Sequence, residues 1–235
     1  MKTMTLTVAV VLSLAASAWA QTKATTVSSP KIATGKKPVP AMQPVTDDPK
    51  LPRVLLIGDS ISIGYTVPVQ ELLQGKANVH RIRANGGPTT NGLANLQKWL
   101  GDGRWDVIHF NWGLHDLKWV SESGQMIPPA AYEKNLRELV RRLKATGAKL
   151  IWATTTPVPE EKQVPARKAT DALLYNAIAK KIMEENGVAV DDLYVFILPD
   201  LAKWQLPANV HFTPEGYQQL AKPVAASIES VLNHK

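Results

Sequence analysis

Four short clusters in this chain hold the residue types that acyl transfer needs. Ser60 closes Ile57-Gly58-Asp59-Ser60, directly after an apolar run. A serine where strand turns into helix has backbone N–H groups around it, ready to stabilise an oxyanion. The same serine would also serve as a plain helix cap. Asn85-Gly86-Gly87-Pro88-Thr89-Thr90 carries paired glycines. Glycines let the backbone approach a ligand closely, and the Gly87 N–H could be a second oxyanion donor. The phosphate-binding patterns GxGxxG and GxxxxGK[ST] are both absent. Asn111-Trp112-Gly113-Leu114-His115-Asp116 is a polar sequel to another apolar run, and Asn111 or His115 could donate to a carbonyl oxygen. His211 lies in Asn209-Val210-His211-Phe212-Thr213-Pro214. Histidine titrates near neutrality and is the usual base for activating serine.

Other histidines fit structural places. His80 falls inside a strand pattern, His109 reads as buried, and His234 is terminal. Neither HExxH nor clustered carboxylates occur, so no metal and no cofactor is expected. With no cysteine, a thiolate nucleophile, a Cys-based zinc site and a disulfide scaffold are excluded.

The elements that must position these clusters are legible in the hydrophobic pattern. Short apolar runs predict strands at 53–57, 79–84, 105–111, 149–155 and 187–191. The first reads as buried on both faces, as a central parallel strand would be. Helical spacing marks Leu93, Leu96 and Leu100, then 129–146, then 167–186. Thr213-Pro214 reads as a cap and first turn, with Leu220, Val224, Ile228 and Val231 as the apolar face of the last helix. Alternating strands and helices predict a three-layer α/β/α sandwich with a mostly parallel five-stranded sheet. In such folds ligands bind at the C-terminal strand ends, where all four clusters fall.

The ends of the chain have another character. Lys2, the apolar stretch from Leu6 to Ala16 and Ala18-Trp19-Ala20 form the pattern of a signal peptide over 1–20. That run is too short for a membrane span. Residues 21–50 are rich in Pro, Thr, Ser and Lys and read as a disordered linker. The domain is then 51–235, and export to the periplasm or outside is the expected location. The chain carries a formal charge of +7, but residues 51–235 hold 21 basic against 18 acidic side chains. No basic stripe with interleaved aromatics appears there, so no nucleic-acid partner is expected.

Taken together, Gly58-Asp59-Ser60, Gly87-Pro88-Thr89, Gly113-Leu114-His115-Asp116 and His211 with Thr213-Pro214-Glu215-Gly216-Tyr217 resemble the SGNH (GDSL-type) hydrolases. The resemblance covers 51–235. It implies a flavodoxin-like sheet and a serine esterase, with Ser60 as nucleophile, His211 as base, and Gly87 in the oxyanion hole. Two positions depart from the family pattern. His115 stands where the family has an oxyanion-donating Asn, so a neutral imidazole would substitute, with Asn111 as the alternative donor. Ala208 stands where the family has the Asp that orients the histidine. A backbone carbonyl could orient His211 instead, or another acid among Asp191, Asp192, Asp200 and Glu215, or the chain is a weak or inactive relative. Carbohydrate esters, acetyl esters above all, are the expected substrates. A lysophospholipase or thioesterase and a non-catalytic carbohydrate-binding relative are the alternatives. Trp112, Trp119 and Trp204 would either stack on sugar rings or belong to the core.

Overall fold

The computed structural model describes residues 39–121, 124–160 and 163–234. The expected signal peptide and the first part of the expected linker lie outside them. The core begins with β1 (Arg53–Ile57), whose Val54 to Ile57 are buried on both faces. The chain continues through α1 (Ser60–Leu72), β2 (Asn78–Arg81), α2 (Thr89–Leu100) and β3 (Val107–Phe110). A two-stranded hairpin, β4 (Trp119–Ser121) and β5 (Gly124–Gln125), precedes α3 (Pro129–Lys144). Then follow β6 (Lys149–Ala153), α4 (Ala169–Asn186) and β7 (Ala189–Asp191). Two short helices, α5 (Leu193–Ile197) and α6 (Leu201–Trp204), lead to α7 (Pro214–Asn233).

The main sheet has the order β2-β1-β3-β6-β7, and every pair in it is parallel. Helices α1 and α7 pack together, and α2, α3 and α4 pack in sequence as the other helical layer. The architecture is the three-layer α/β sandwich. The chain moves outward from β1 to β2, then returns past β1 to β3. Connections leaving β1 and β3 therefore diverge, which opens a crevice at their C-terminal ends. Ser60 follows one of these strands and Asn111 to Asp116 follow the other.

Two features fix the helices that flank this crevice. Asp59 caps α1 by accepting from the Ile61 N–H at 2.9 Å. Gly64 lies where α1 meets α7: a Cβ there would sit 2.2 Å from the Tyr217 ring. Only glycine lets the two helices approach this closely.

The strand boundaries are tighter than expected. β3 starts at Val107, and Trp105 packs outside it with the Arg53 guanidinium 4.1 Å above its ring. The hairpin and the two short helices before α7 were not read from the sequence. Residues 39–50, read as part of a disordered linker, include a 3₁₀ turn at Pro40–Met42. Their end is stitched to β1 and β2. Asp48 N–H donates to Asn78 Oδ1 at 2.9 Å, and Asp47 pairs with Arg53 at 2.7 Å and His80 at 2.5 Å. Proline-rich composition obscured these contacts, because the anchoring groups are two aspartates and not apolar residues.

Candidate active site

Ser60 is the first residue of α1, half-buried at the end of β1. Its Oγ lies 2.9 Å from His211 Nε2. His211 sits on the turn between α6 and α7. That turn is braced by Leu206 N–H to His211 O at 2.9 Å and Thr213 N–H to Trp204 O at 2.8 Å. Gln205 Nε2, donating to Pro157 O at 2.8 Å, ties it to the segment after β6.

The other imidazole nitrogen meets Asn209. Asn209 Oδ1 accepts the backbone N–H of His211 at 3.0 Å and lies 2.7 Å from His211 Nδ1. The backbone group can only donate, so the shared Asn209 atom is an acceptor. Nδ1 must then carry the proton, and Nε2 is left bare to accept from the Ser60 hydroxyl. This is the tautomer a general base needs. Ala208, where an acid was missing, is exposed with φ of 50°. Among the described residues, none of the four acids considered from sequence contacts His211. Asp191 Oδ2 is 3.0 Å from buried His109, and Asp192 caps α5 and pairs with Lys180 at 2.6 Å. Sequence reading missed Asn209. Its only signal was an acceptor two residues before the histidine, and a turn that folds back on itself cannot be read from spacing.

Three donors surround the nucleophile turn. The Ser60 N–H meets no acceptor among the described residues. Gly87, at φ of 60°, uses the left-handed conformation that glycine tolerates, and its N–H donates to Asn85 Oδ1 at 2.9 Å. His115 is the third. Burial pushes its imidazole below the usual histidine range; Asp59 opposes this, while Lys118, Arg167 and His211 push the same way. It is therefore neutral at pH 7 and has one N–H to give.

Asn111, the alternative donor, is engaged elsewhere in this structure. Its Nδ2 donates to Ala153 O at 2.7 Å and to Thr155 Oγ1 at 3.4 Å. These bonds clasp the segment after β3 to β6 and the residues that follow it.

Asp116 links two of the loops. Its buried Oδ1 accepts the Thr89 N–H at 2.9 Å and the Thr89 hydroxyl at 2.5 Å. The Gly87-Pro88-Thr89 turn is thereby fixed beside His115. Burial pushes the Asp116 carboxyl up to about 7, against the opposing hydrogen bonds from Thr89. Of the tryptophans, Trp112 is core, 1% exposed. Trp119 and Trp204 are half-buried, each with a lysine ammonium over its ring. Among the described residues, no group of three His or acidic side chains is placed to hold a metal. A recess of about 10 Å³ lies between Asp59, Ile61, Leu114 and Thr154 to Thr156, room for about one water molecule.

Comparison with known proteins bears on the family and the fold. The GDSL-like lipase/acylhydrolase family matches residues 56–219. An arylesterase from Vibrio mimicus is 23% identical over 187 residues, covering 75% of this chain and 88% of the relative. Among solved structures, a lipase/acylhydrolase from Enterococcus faecalis has a TM-score of 0.67 at 21% identity, covering 76% of this chain and 96% of that one. The acetyl xylan esterase AlAXEase has a TM-score of 0.64 at 18% identity, with 75% and 99% covered. An Axe2 variant, an acetyl xylan esterase from Geobacillus stearothermophilus, has a TM-score of 0.63 at 22% identity, with 75% and 94% covered.

Proposed function

The chain belongs to the GDSL-like lipase/acylhydrolase family, and on that premise we propose that it is a serine-dependent carboxylic ester hydrolase working through Ser60, His211 and Asn209. The observation that carries this is the relay Ser60 Oγ–His211 Nε2 at 2.9 Å and His211 Nδ1–Asn209 Oδ1 at 2.7 Å. His211 takes the Ser60 proton as Oγ attacks the ester carbonyl. The N–H groups of Ser60 and Gly87 and the His115 imidazole hold the oxyanion. The alcohol leaves with the proton from His211. Water, deprotonated by the same imidazole, then releases the acid and regenerates Ser60. Asn209 accepts the Nδ1 proton throughout, as an amide does beside histidine in Cys-His-Asn proteases. It supplies orientation without the full charge of a carboxylate. A non-catalytic reading rested on Ala208, and Asn209 offsets that loss.

The finer reading is deacetylation of carbohydrate esters by an exported enzyme. Acetyl xylan esterases among the structural neighbours support a short acyl group. The amino-terminal signal pattern supports export. Hydrolysis of p-nitrophenyl acetate by the parent and by Ser60→Ala is the direct test. Turnover lost in a folded Ser60→Ala sample is the expected result, and equal turnover in the two would overturn the assignment. Acetylated xylo-oligosaccharides should then be cleaved faster than long-chain acyl esters. A rate that rises with each added methylene would instead favour a lipid substrate.

A further inference from the structure

Arg81, the last residue of β2, is 6% exposed. Every hydrogen-bond partner of its guanidinium is a neutral oxygen. Nη1 donates to Ile82 O at 2.6 Å and Ala84 O at 2.7 Å. Nη2 donates to Gly58 O at 2.8 Å, Asp59 O at 3.0 Å and Ser62 Oγ at 2.9 Å. The buried Nε meets no partner among the described residues. Burial pulls this guanidinium down to about 10, still above neutral pH, so it remains charged. The buried Asp59 carboxylate favours its charge without a hydrogen bond to it, but burying such charges is costly, and apolar residues fill such positions at less cost. What the arginine supplies must therefore be sought in what it touches.

It touches both halves of the oxyanion site. Gly58 and Asp59 immediately precede Ser60, and Ile82 and Ala84 lead into Asn85-Gly86-Gly87. Gly58 O also accepts the Gly86 N–H at 2.8 Å, so the two turns meet on the carbonyl that Arg81 holds. The peptide unit between Asp59 and Ser60 is planar and trans, so its C=O and N–H point in opposite directions. The Asp59 carbonyl accepts the Ile63 N–H and the Ser62 hydroxyl, each at 3.1 Å, as well as Arg81 Nη2; with it held among these donors, the Ser60 N–H faces away from Arg81. A charged donor on that carbonyl also polarises the peptide group and strengthens its N–H as a donor.

We propose that Arg81 is a positioning residue for the oxyanion hole: it aims and polarises the Ser60 N–H from beneath and locks the Gly86-Gly87 turn against it. This rests on the ester hydrolase reading above. The test compares the parent with Arg81→Lys and Arg81→Met. For each, kcat and KM on p-nitrophenyl acetate are measured per serine titrated with a phosphonate. Affinity is measured for a boronic acid that forms a tetrahedral adduct on Ser60.

Losing one oxyanion donor outright costs about 10²–10³ in kcat, so weakening one should cost roughly 10-fold to 100-fold. The expected result is a kcat loss of that size in both variants, with KM within about twofold of the parent. Boronate affinity should fall by the same factor, because the boronate oxygen occupies the hole. A merely structural arginine would reduce the number of titratable serines and leave kcat per serine and boronate affinity unchanged; that outcome overturns the proposal. If neither arginine variant folds, Ser62→Ala decides, since it removes one acceptor of Nη2 together with the Ser62 hydroxyl's own bond to the Asp59 carbonyl, at 3.1 Å. It should shift kcat and boronate affinity together by a smaller factor, and no shift in either would overturn the role. Equal turnover in Ser60→Ala would strike the ester hydrolase reading instead. Ser60-dependent turnover that Arg81 variants leave intact would strike only the role given to Arg81.

Discussion

In the proposed relay Asn209 takes the orienting task that a carboxylate performs in most serine triads, and an amide and a carboxylate differ in charge. Asn209→Ala should lower kcat by about 10²–10³-fold, because Nδ1 loses its acceptor and the unproductive tautomer gains population. Asn209→Asp keeps the acceptor and adds a charge that stabilises the imidazolium. Its kcat should therefore stay well above that of Asn209→Ala. Equal kcat in the two variants would count against the contact. Asp116 offers a second test, on stability. Its carboxyl is raised to about 7 by burial, with the Thr89 hydrogen bonds opposing, against about 3.9 in an unfolded chain. The folded form thus holds the proton between those values while the unfolded form releases it. The stability it contributes is full below about pH 4 and is lost as pH rises through about 7. Asp116→Asn mimics the neutral acid, so urea unfolding should show the parent losing ground to the variant between pH 5 and 8. Parallel curves would contradict this. The pairing of Ser60 with His211 was legible because the first follows a strong strand signal and the second precedes a strong helix signal. The bonds of Asn111 were not, because polarity at a strand end looks the same whether it faces substrate or a neighbouring carbonyl.

Nucleophile and base ride on the first turn of α1 and on the turn into α7, and those helices touch where Gly64 faces Tyr217. Gly64→Ala improves helix propensity by roughly 1 kcal/mol but drives a Cβ into the ring 2.2 Å away. Overpacking of this kind costs about 1–3 kcal/mol. The variant should therefore be less stable than the parent in urea and slower in turnover, as Tyr217 lies six residues after His211. In a Tyr217→Ala background the same change should become stabilising. A Gly64→Ala penalty that persists there would mean the contact is not its cause. Elements with long or doubly buried apolar patterns, such as β1, α3 and α7, were readable in advance. The hairpin of β4 and β5 was not, because strands of three and two residues carry too little alternation to register. The turn at Ala208 was equally hidden, since alanine gives no hint of a left-handed backbone.

At the scale of the molecule, the folded unit begins before the first strand. Residues 47 and 48 clasp Asn78, His80 and Arg53, and Asn78 is buried. Compared with a chain starting at residue 39, one starting at 51 should lose about 1–2 kcal/mol, near 5 °C in Tm, because Asn78 loses both Asp48 contacts and keeps only Leu51 O. Equal melting of the chains starting at 39 and 51 would show the clasp to be idle.

The order of the parts along the chain has a consequence for biosynthesis. Ser60 and His211 stand 151 positions apart, and α7 must dock before they meet. A nascent polypeptide therefore exposes its serine long before the base emerges from the ribosome. If it crosses a membrane unfolded, it carries no esterase activity on the side where it was made. Hydrolysis through this pair begins only once synthesis and folding are complete, without any separate inhibitor.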